Sequence, residues 1–262
     1  MTSFETVMVK RDGAVALVTL NRPESLNAFD ADLRRDLLGA VRQVNEDPLI
    51  NVGVLTGAGR GFCAGADLNE PAADEPGFSV EDQLNEEYKP ILMAIHDAPI
   101  PWLGAINGAA AGIGSAFAMN CDLVVMAESS FLYQAFAGIG LIPDGGATWH
   151  LVRSLGRHRA YEIIASGEKL AAQKCLQWGL CNQVVPDAEL VSHTMSWAAE
   201  LASKSPLALR FAKQALNHAL NGTLDEAISF EAALQHRCIT SADHKEGKAA
   251  FLEKREPRWK GC

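Results

Sequence analysis

The chain has little that would take it out of the aqueous phase or onto nucleic acid. Its 262 residues contain no run of the ~20 apolar residues that a membrane-spanning helix needs, and the opening MTSFETVMVKRDG has no apolar core of signal-peptide length. Basic residues are in the minority: 23 Lys and Arg stand against 32 Asp and Glu, a net charge of -9 with no basic segment to offset it. That composition argues against a nucleic-acid partner. Cys63, Cys121, Cys175, Cys181, Cys238 and Cys262 form no CxxC pair and no metal-finger spacing, so they are expected to be reduced thiols, several of them core filling. GAGRG at residues 57–61 lacks the G-x-G-x-x-G spacing of a dinucleotide loop, and Asp67 and Asp122 have no second ligand at metal-like spacing. Neither an internal repeat nor a low-complexity tract is visible. The expectation is a cytoplasmic protein with no membrane partner, no metal and no bound cofactor.

What is present suits a sizeable core, with 48% hydrophobic and 21% charged residues. Residues 14–20 have strand composition after an Asp12-Gly13 turn, and Asn21-Arg22-Pro23 ends them. From Asp30, a plausible N-cap, Leu33, Leu37, Leu38, Val41 and Val44 recur at helical spacing. Residues 52–56, 102–106 and 123–126 continue a strand series with helices between them. This alternation predicts an α/β fold of parallel crossovers whose strand-end loops carry the site. After Pro186 only helical signals remain, over residues 189–203, 206–220, 223–237 and 244–254, with Ser205 capping a helix that has Pro206 at its first position. The boundary is placed between residues 1–186, an α/β core, and residues 187–262, a helical region.

Two glycine-rich stretches stand out. In WLGAINGAAAGIGSAFAMNCD, residues 102–122, a strand meets Asn107-Gly108, a run of small residues follows, and an apolar helix restarts at Ser115. In GAGRGFCAGADL, residues 57–68, a strand again runs into a small-residue loop. Loops without side chains let a ligand approach the backbone, and the first N–H groups of a helix have no intrahelical partner. Two such loops suit a developing negative charge; equally, Gly112 and Gly114 suit close helix–strand packing.

LNRPESLNAF at residues 20–29, GRGFCAGADL at 59–68 and INGAAAGIGSAFAMNCDLVVM at 106–126, in order and in register, resemble the enoyl-CoA hydratase/isomerase (crotonase) superfamily, and the likeness extends to FLEKREPRW at 251–259. The resemblance implies a crotonase-like ββα spiral core with a C-terminal helical trimerisation region that closes an acyl-CoA site, often a neighbour's. It implies a homotrimer or a hexamer, and an acyl-CoA thioester as substrate, with coenzyme A entering only as part of it. The backbone N–H groups of Ala66 and Ile113 would hold the thioester oxygen, Ile113 standing where the motif usually has glycine. Leu26, Ala64 and Leu68 would line an adenine pocket, Asp67 would belong to the CoA-binding set while fixing its loop through backbone hydrogen bonds, and Phe251 and Lys254 would contact the nucleotide. The acidic segment 70–82 reads either as a mobile loop beside the site or as a plain solvated connection.

The proton-handling residues decide the reaction. Where hydratases of the family carry two water-activating glutamates, this chain has Ala116 and Phe136, neither of which accepts a proton. Asp144, in GLIPDGGATW, remains. Its local sequence fits the N-cap of a helix starting at residue 147, while the resemblance makes it the catalytic aspartate of the isomerase branches, the phenylacetyl type above all, with Phe136 as a wall of the acyl pocket. His96 and His150 are read as polar surface or capping residues. The expected activity is double-bond isomerisation in an enoyl-CoA thioester; the alternatives are hydration of a trans-2-enoyl-CoA and a non-catalytic CoA-binding or assembly role.

Overall fold

The computed structural model describes residues 4–70 and 77–262. Residues 71–76 of the segment for which a mobile loop was weighed lie outside them. Strands β1 (Val7–Asp12) and β2 (Val15–Leu20) form an antiparallel hairpin about Gly13, whose φ of +59° is the left-handed turn conformation. Helix α1 (Ala31–Glu46) begins where expected, with the Asp30 carboxylate accepting from Leu33 N–H at 2.8 Å.

The chain then climbs in repeated steps. Strand β3 (Val52–Gly57) is followed by β4 (Gly61–Cys63), then α2 (Val80–Gln83), a π turn over Leu84–Tyr88 and α3 (Lys89–His96). Strand β5 (Trp102–Ile106) is followed by β6 (Ala109–Ala111) and α4 (Ile113–Met119), and β7 (Leu123–Ala127) by β8 (Phe131–Tyr133) and α5 (Ala147–Ser166). Finally come β9 (Lys169–Ala171), α6 (Ala172–Trp178) and β10 (Gln183–Val185). Each step places one strand in a six-stranded sheet of order β1-β2-β3-β5-β7-β10 and the next in a four-stranded sheet of order β4-β6-β8-β9. Pairing from β2 through β10 is parallel, as it is from β4 through β8. The result is a ββα spiral.

Here the structure corrects one expectation: the small-residue run after Gly108 is a strand, not a loop. Ala109–Ala111 pairs with both β4 and β8, and three alanines carry no periodicity to announce it. The reversals that move the chain between sheets are tight. A side chain on Gly57 would meet Gly61 O at 2.3 Å, and one on Gly108 would meet Arg60 O at 2.2 Å. Asn27 and Asn107 pin the reversal, the first by donating to Ala58 O and Gly61 O at 3.0 and 2.8 Å, the second by donating to Gly59 O at 3.0 Å.

Both faces of the larger sheet are covered, which is why β3 is buried at every position and reads as a continuous apolar run. On one face Leu55, Trp102, Ile106 and Met126 join α1, α3 and α4 in the main core. On the other, Val52, Val54, Leu103 and Val125 pack against α7 (Leu190–Ala202). Each fully buried side chain of this size stabilises the fold by about 1.5–3 kcal/mol. The remaining helices, α8 (Pro206–Ala219), α9 (Leu224–Ile239) and α10 (Ala242–Glu253), match the expected C-terminal series. Ser205 caps α8 as predicted, while α10 starts earlier than predicted because Ser241 accepts from His244 N–H at 3.0 Å. Lys213 of α8 reaches into the core, its Nζ 2.7 Å from both Ile95 O and Asp122 Oδ2. Among the described residues, no helix is long and apolar enough to cross a membrane.

Candidate active site

The two glycine-rich stretches come into contact. Beside residues 57–68, Leu26 takes a left-handed conformation (φ 53°) and its carbonyl accepts from Ala64 N–H at 3.0 Å. Phe29 then brackets Ala66: its N–H donates to Gly65 O at 2.7 Å and its carbonyl accepts from Asp67 N–H at 2.9 Å. Ala66 N–H itself has no partner among the described residues. Asp67 accepts from Arg22 at 3.1 Å, and Arg22 also pairs with Asp30 at 2.9 Å, which locks the loop to the start of α1. Burial pushes the Asp67 carboxyl up, but the Asn69 N–H and Arg22 outweigh it and hold it below its ordinary value.

In the second stretch, Gly112 (φ 53°) donates to Tyr133 O at 2.9 Å and precedes Ile113, the first residue of α4, whose N–H is likewise without a partner among the described residues. A side chain on Gly65 would lie 3.0 Å from Ala111 O and 3.6 Å from Gly112 Cα, so the loops touch through backbone alone. Close packing holds as well: a side chain on Gly114 would meet Cys63 O at 2.5 Å. Phe136 is buried over this junction, its Cζ 3.9 Å from where a Gly112 side chain would project.

Asp144 adjoins the junction through its neighbour. A side chain on Gly145 would meet Ile113 Cγ1 at 2.7 Å and Ala116 Cβ at 3.0 Å. The N-cap of α5 is Gly146 in a left-handed conformation, and no side chain caps the helix. The capping alternative for Asp144 is therefore overturned; the carboxylate stands two residues before the cap position. Instead its Oδ1 is buried with no hydrogen-bond partner among the described residues, and burial raises its pKa from 3.8 to about 6.

The carboxylate lines a cavity of about 510 Å³ between the start of α5 and the segment from the π turn through α3. Tyr88, Leu92, Met93 and Trp149 supply much of its wall. His150, read from the sequence as a surface or capping residue, is in this wall too, and its burial lowers its pKa to about 4. The signal that would have revealed it is its position one turn into the helix that follows Asp144. Phe136 is not among the residues that line this cavity; its ring packs on Gly112.

Leu26 and Ala64 lie together at the first loop, with Leu68 exposed beyond them. Phe251 is exposed at the end of α10, and Lys254 is the left-handed residue that ends that helix; neither lines the Asp144 cavity. Among the described residues no group of three or more His, Cys, Asp or Glu side chains is placed to hold a metal ion. Asp122 accepts from Trp102 N–H at 2.7 Å, which fixes the start of β5.

A family profile described as enoyl-CoA hydratase/isomerase matches residues 10–262. The chain belongs to the enoyl-CoA hydratase/isomerase family. It is 40% identical to "Probable enoyl-CoA hydratase" of Rhodobacter capsulatus, with 99% of each chain covered. It is 39% identical to 1,2-epoxyphenylacetyl-CoA isomerase of Escherichia coli, over 98% of this chain and 99% of that one. The crystal structure of enoyl-CoA hydratase from Bacillus anthracis superposes with a TM-score of 0.94 at 33% identity, covering 98% of this chain and 100% of that one. The spiral with its C-terminal helices is thus the crotonase fold that the motifs implied, and the family's members carry out both hydratase and isomerase chemistry by name.

Proposed function

We propose that the chain shifts a double bond in an enoyl-CoA thioester, from 3-enoyl to conjugated 2-enoyl or in the related isomerisation of a ring-epoxidised phenylacetyl-CoA, with Asp144 as its acid and base. One observation carries this reading: Asp144 is the only carboxylate lining the cavity among the described residues, and its Oδ1 is buried without a hydrogen-bond partner. Proton removal from C2 sends charge onto the thioester oxygen, where the Ala66 and Ile113 N–H groups stabilise it. The C2–H electron pair forms the C1=C2 bond of the dienolate as the carbonyl π pair moves onto the oxygen. When the carbonyl re-forms, the C1=C2 pair becomes C2=C3 and the C3=C4 pair takes the proton held on Asp144 at C4. A carboxyl that titrates at about 6 is ionised at neutral pH, yet acidic enough once protonated to give the proton back. The exchange is redox-neutral and calls for no metal.

In this reading Leu26, Ala64 and Leu68 border the adenine and Asp67 holds their loop through Arg22, while Phe251 and Lys254 contact the nucleotide across a subunit boundary of a homotrimer or a dimer of trimers. The exposed Leu216, Leu224, Ile228 and Ile239 of α8 and α9 provide apolar surface for such assembly. The relatives' names favour hydration as the competing reaction, but adding water needs a second group to hold it, and Ala116 and Phe136 offer none. Conjugated-thioester absorbance decides between them. Conjugation should appear from a 3-enoyl-CoA with little loss from a trans-2-enoyl-CoA; rapid hydration of the second would overturn the isomerase reading.

A further inference from the structure

The cavity beside Asp144 holds more polar capacity than a plain alkyl chain would use. Most of its polar side chains are already engaged. Asn120 donates to Leu92 O at 2.9 Å, Asn221 accepts from Arg153 at 2.8 Å, Asn85 donates to Glu81 O at 2.9 Å, and His96 Nδ1 contacts Asp97 Oδ1 at 2.8 Å. Lys89 is exposed to solvent. His150 is different. Its ring stands edge-on to Trp149, centroids 4.9 Å apart, and neither ring nitrogen has a hydrogen-bond partner among the described residues. The space beside it is kept open by Gly146, whose side chain, if it had one, would lie 3.9 Å from Cδ2 and 4.0 Å from Nε2.

Burial keeps this imidazole neutral at physiological pH, so it offers one donor and one acceptor to whatever fills the cavity. With a pKa of about 4 it carries no transferable charge-bearing proton at neutral pH and is a weak base, while its unpartnered ring in the cavity wall is placed for recognition. The aromatic walls, Tyr88 and Trp149, suit a ring more than a thin chain.

We infer that His150 is a specificity residue that hydrogen-bonds an oxygen atom carried by the acyl group, so that the preferred substrate is an oxygenated, ring-bearing or similarly bulky acyl-CoA. This rests on the reading of the cavity as an acyl-CoA site. A substrate without that oxygen leaves the imidazole unpaired in a desolvated site, and discrimination follows from that loss.

Calorimetric binding of phenylacetyl-CoA and of its 2-, 3- and 4-hydroxyphenylacetyl counterparts to the intact protein tests the inference. At least one hydroxylated isomer should bind about five- to tenfold more tightly than phenylacetyl-CoA, the net worth of one hydrogen bond formed against water. His150→Leu should bring that ratio to about one, whereas His150→Asn, which keeps a donor and an acceptor, should retain part of it. No preference for any isomer in the wild type, or a preference that survives His150→Leu, overturns the inference while leaving the acyl-CoA site standing. Failure of all four thioesters to bind overturns the acyl-CoA reading and this inference with it.

Discussion

Replacing Asp144 by Asn should disable the enzyme and stabilise the protein, and the pH dependence of each effect is set by the same buried charge. Burial raises the carboxyl from 3.8 to about 6. At ~1.4 kcal/mol per pH unit, the native state therefore pays up to about 3 kcal/mol to keep Asp144 ionised. The side chain is only part-buried, and solvent screening reduces the figure to about 1–2 kcal/mol. Because the native carboxyl binds its proton more tightly than the unfolded one, this penalty is fully present above about pH 6 and absent below about pH 4. Asp144→Asn should accordingly melt roughly 2–8 °C above wild type at pH 7.5 and level with it near pH 4, both measured at one protein concentration. Isomerase turnover should fall by about 10²–10⁴, the usual contribution of a positioned general base. In the wild type, kcat/KM should drop as pH falls through about 6, where the base takes up its proton. A variant that keeps a tenth of wild-type turnover would remove Asp144 as the base, and one whose melting advantage over wild type is no larger at pH 7.5 than at pH 4 would show that the carboxylate is not held ionised against burial.

The remaining predictions concern the backbone donors and the C-terminal tether. Ile113→Pro deletes one N–H at a helix position that tolerates proline, so circular dichroism should be unchanged while kcat falls by about 10²–10³; unchanged turnover would remove Ile113 from the oxyanion site. Lys213→Met leaves Asp122, whose carboxyl burial already pushes up, without its partner, and should cost roughly 3 kcal/mol in urea unfolding. A cost under about 0.5 kcal/mol would mean that the Lys213 tether adds nothing to the apolar packing and the Arg210 and Asn217 hydrogen bonds that also hold α8.

Much of this architecture was legible in the residues. The runs at β3, β5 and β7 are apolar throughout because both faces of a parallel sheet are covered, and α1 declares itself by Asp30 and its three-to-four spacing. The start of α8 is announced by Ser205, whereas the Ser241 cap of α10 became evident only in the structure. Strand β1 was not expected, since only Val7 of VMVKRD is buried and its strand form comes from pairing with β2. The second sheet was equally silent: GFC, AAA, FLY and KLA are each three residues long, too short for any period, and become strands only because the spiral lays them side by side.

At the site the division is sharper. The sequence by itself determined which chemistry was available: glycines that free the backbone at residues 65 and 112, no acid at positions 116 and 136, and one carboxylate at 144. Only the tertiary structure decided how these are used. A Pro-Asp-Gly-Gly segment before a helix has the same local signature whether the aspartate caps or faces a cavity; the left-handed Gly146 took the cap position and left Asp144 free. Ala66 and Ile113 act through N–H groups that every non-proline residue has, so their role depends on a contact between loops distant in the chain. His150 looks like any helical histidine until α3 supplies the opposite wall of the cavity and half-buries it. Local propensity acts over a few residues and writes itself into the sequence; desolvation and apposition belong to the packed whole.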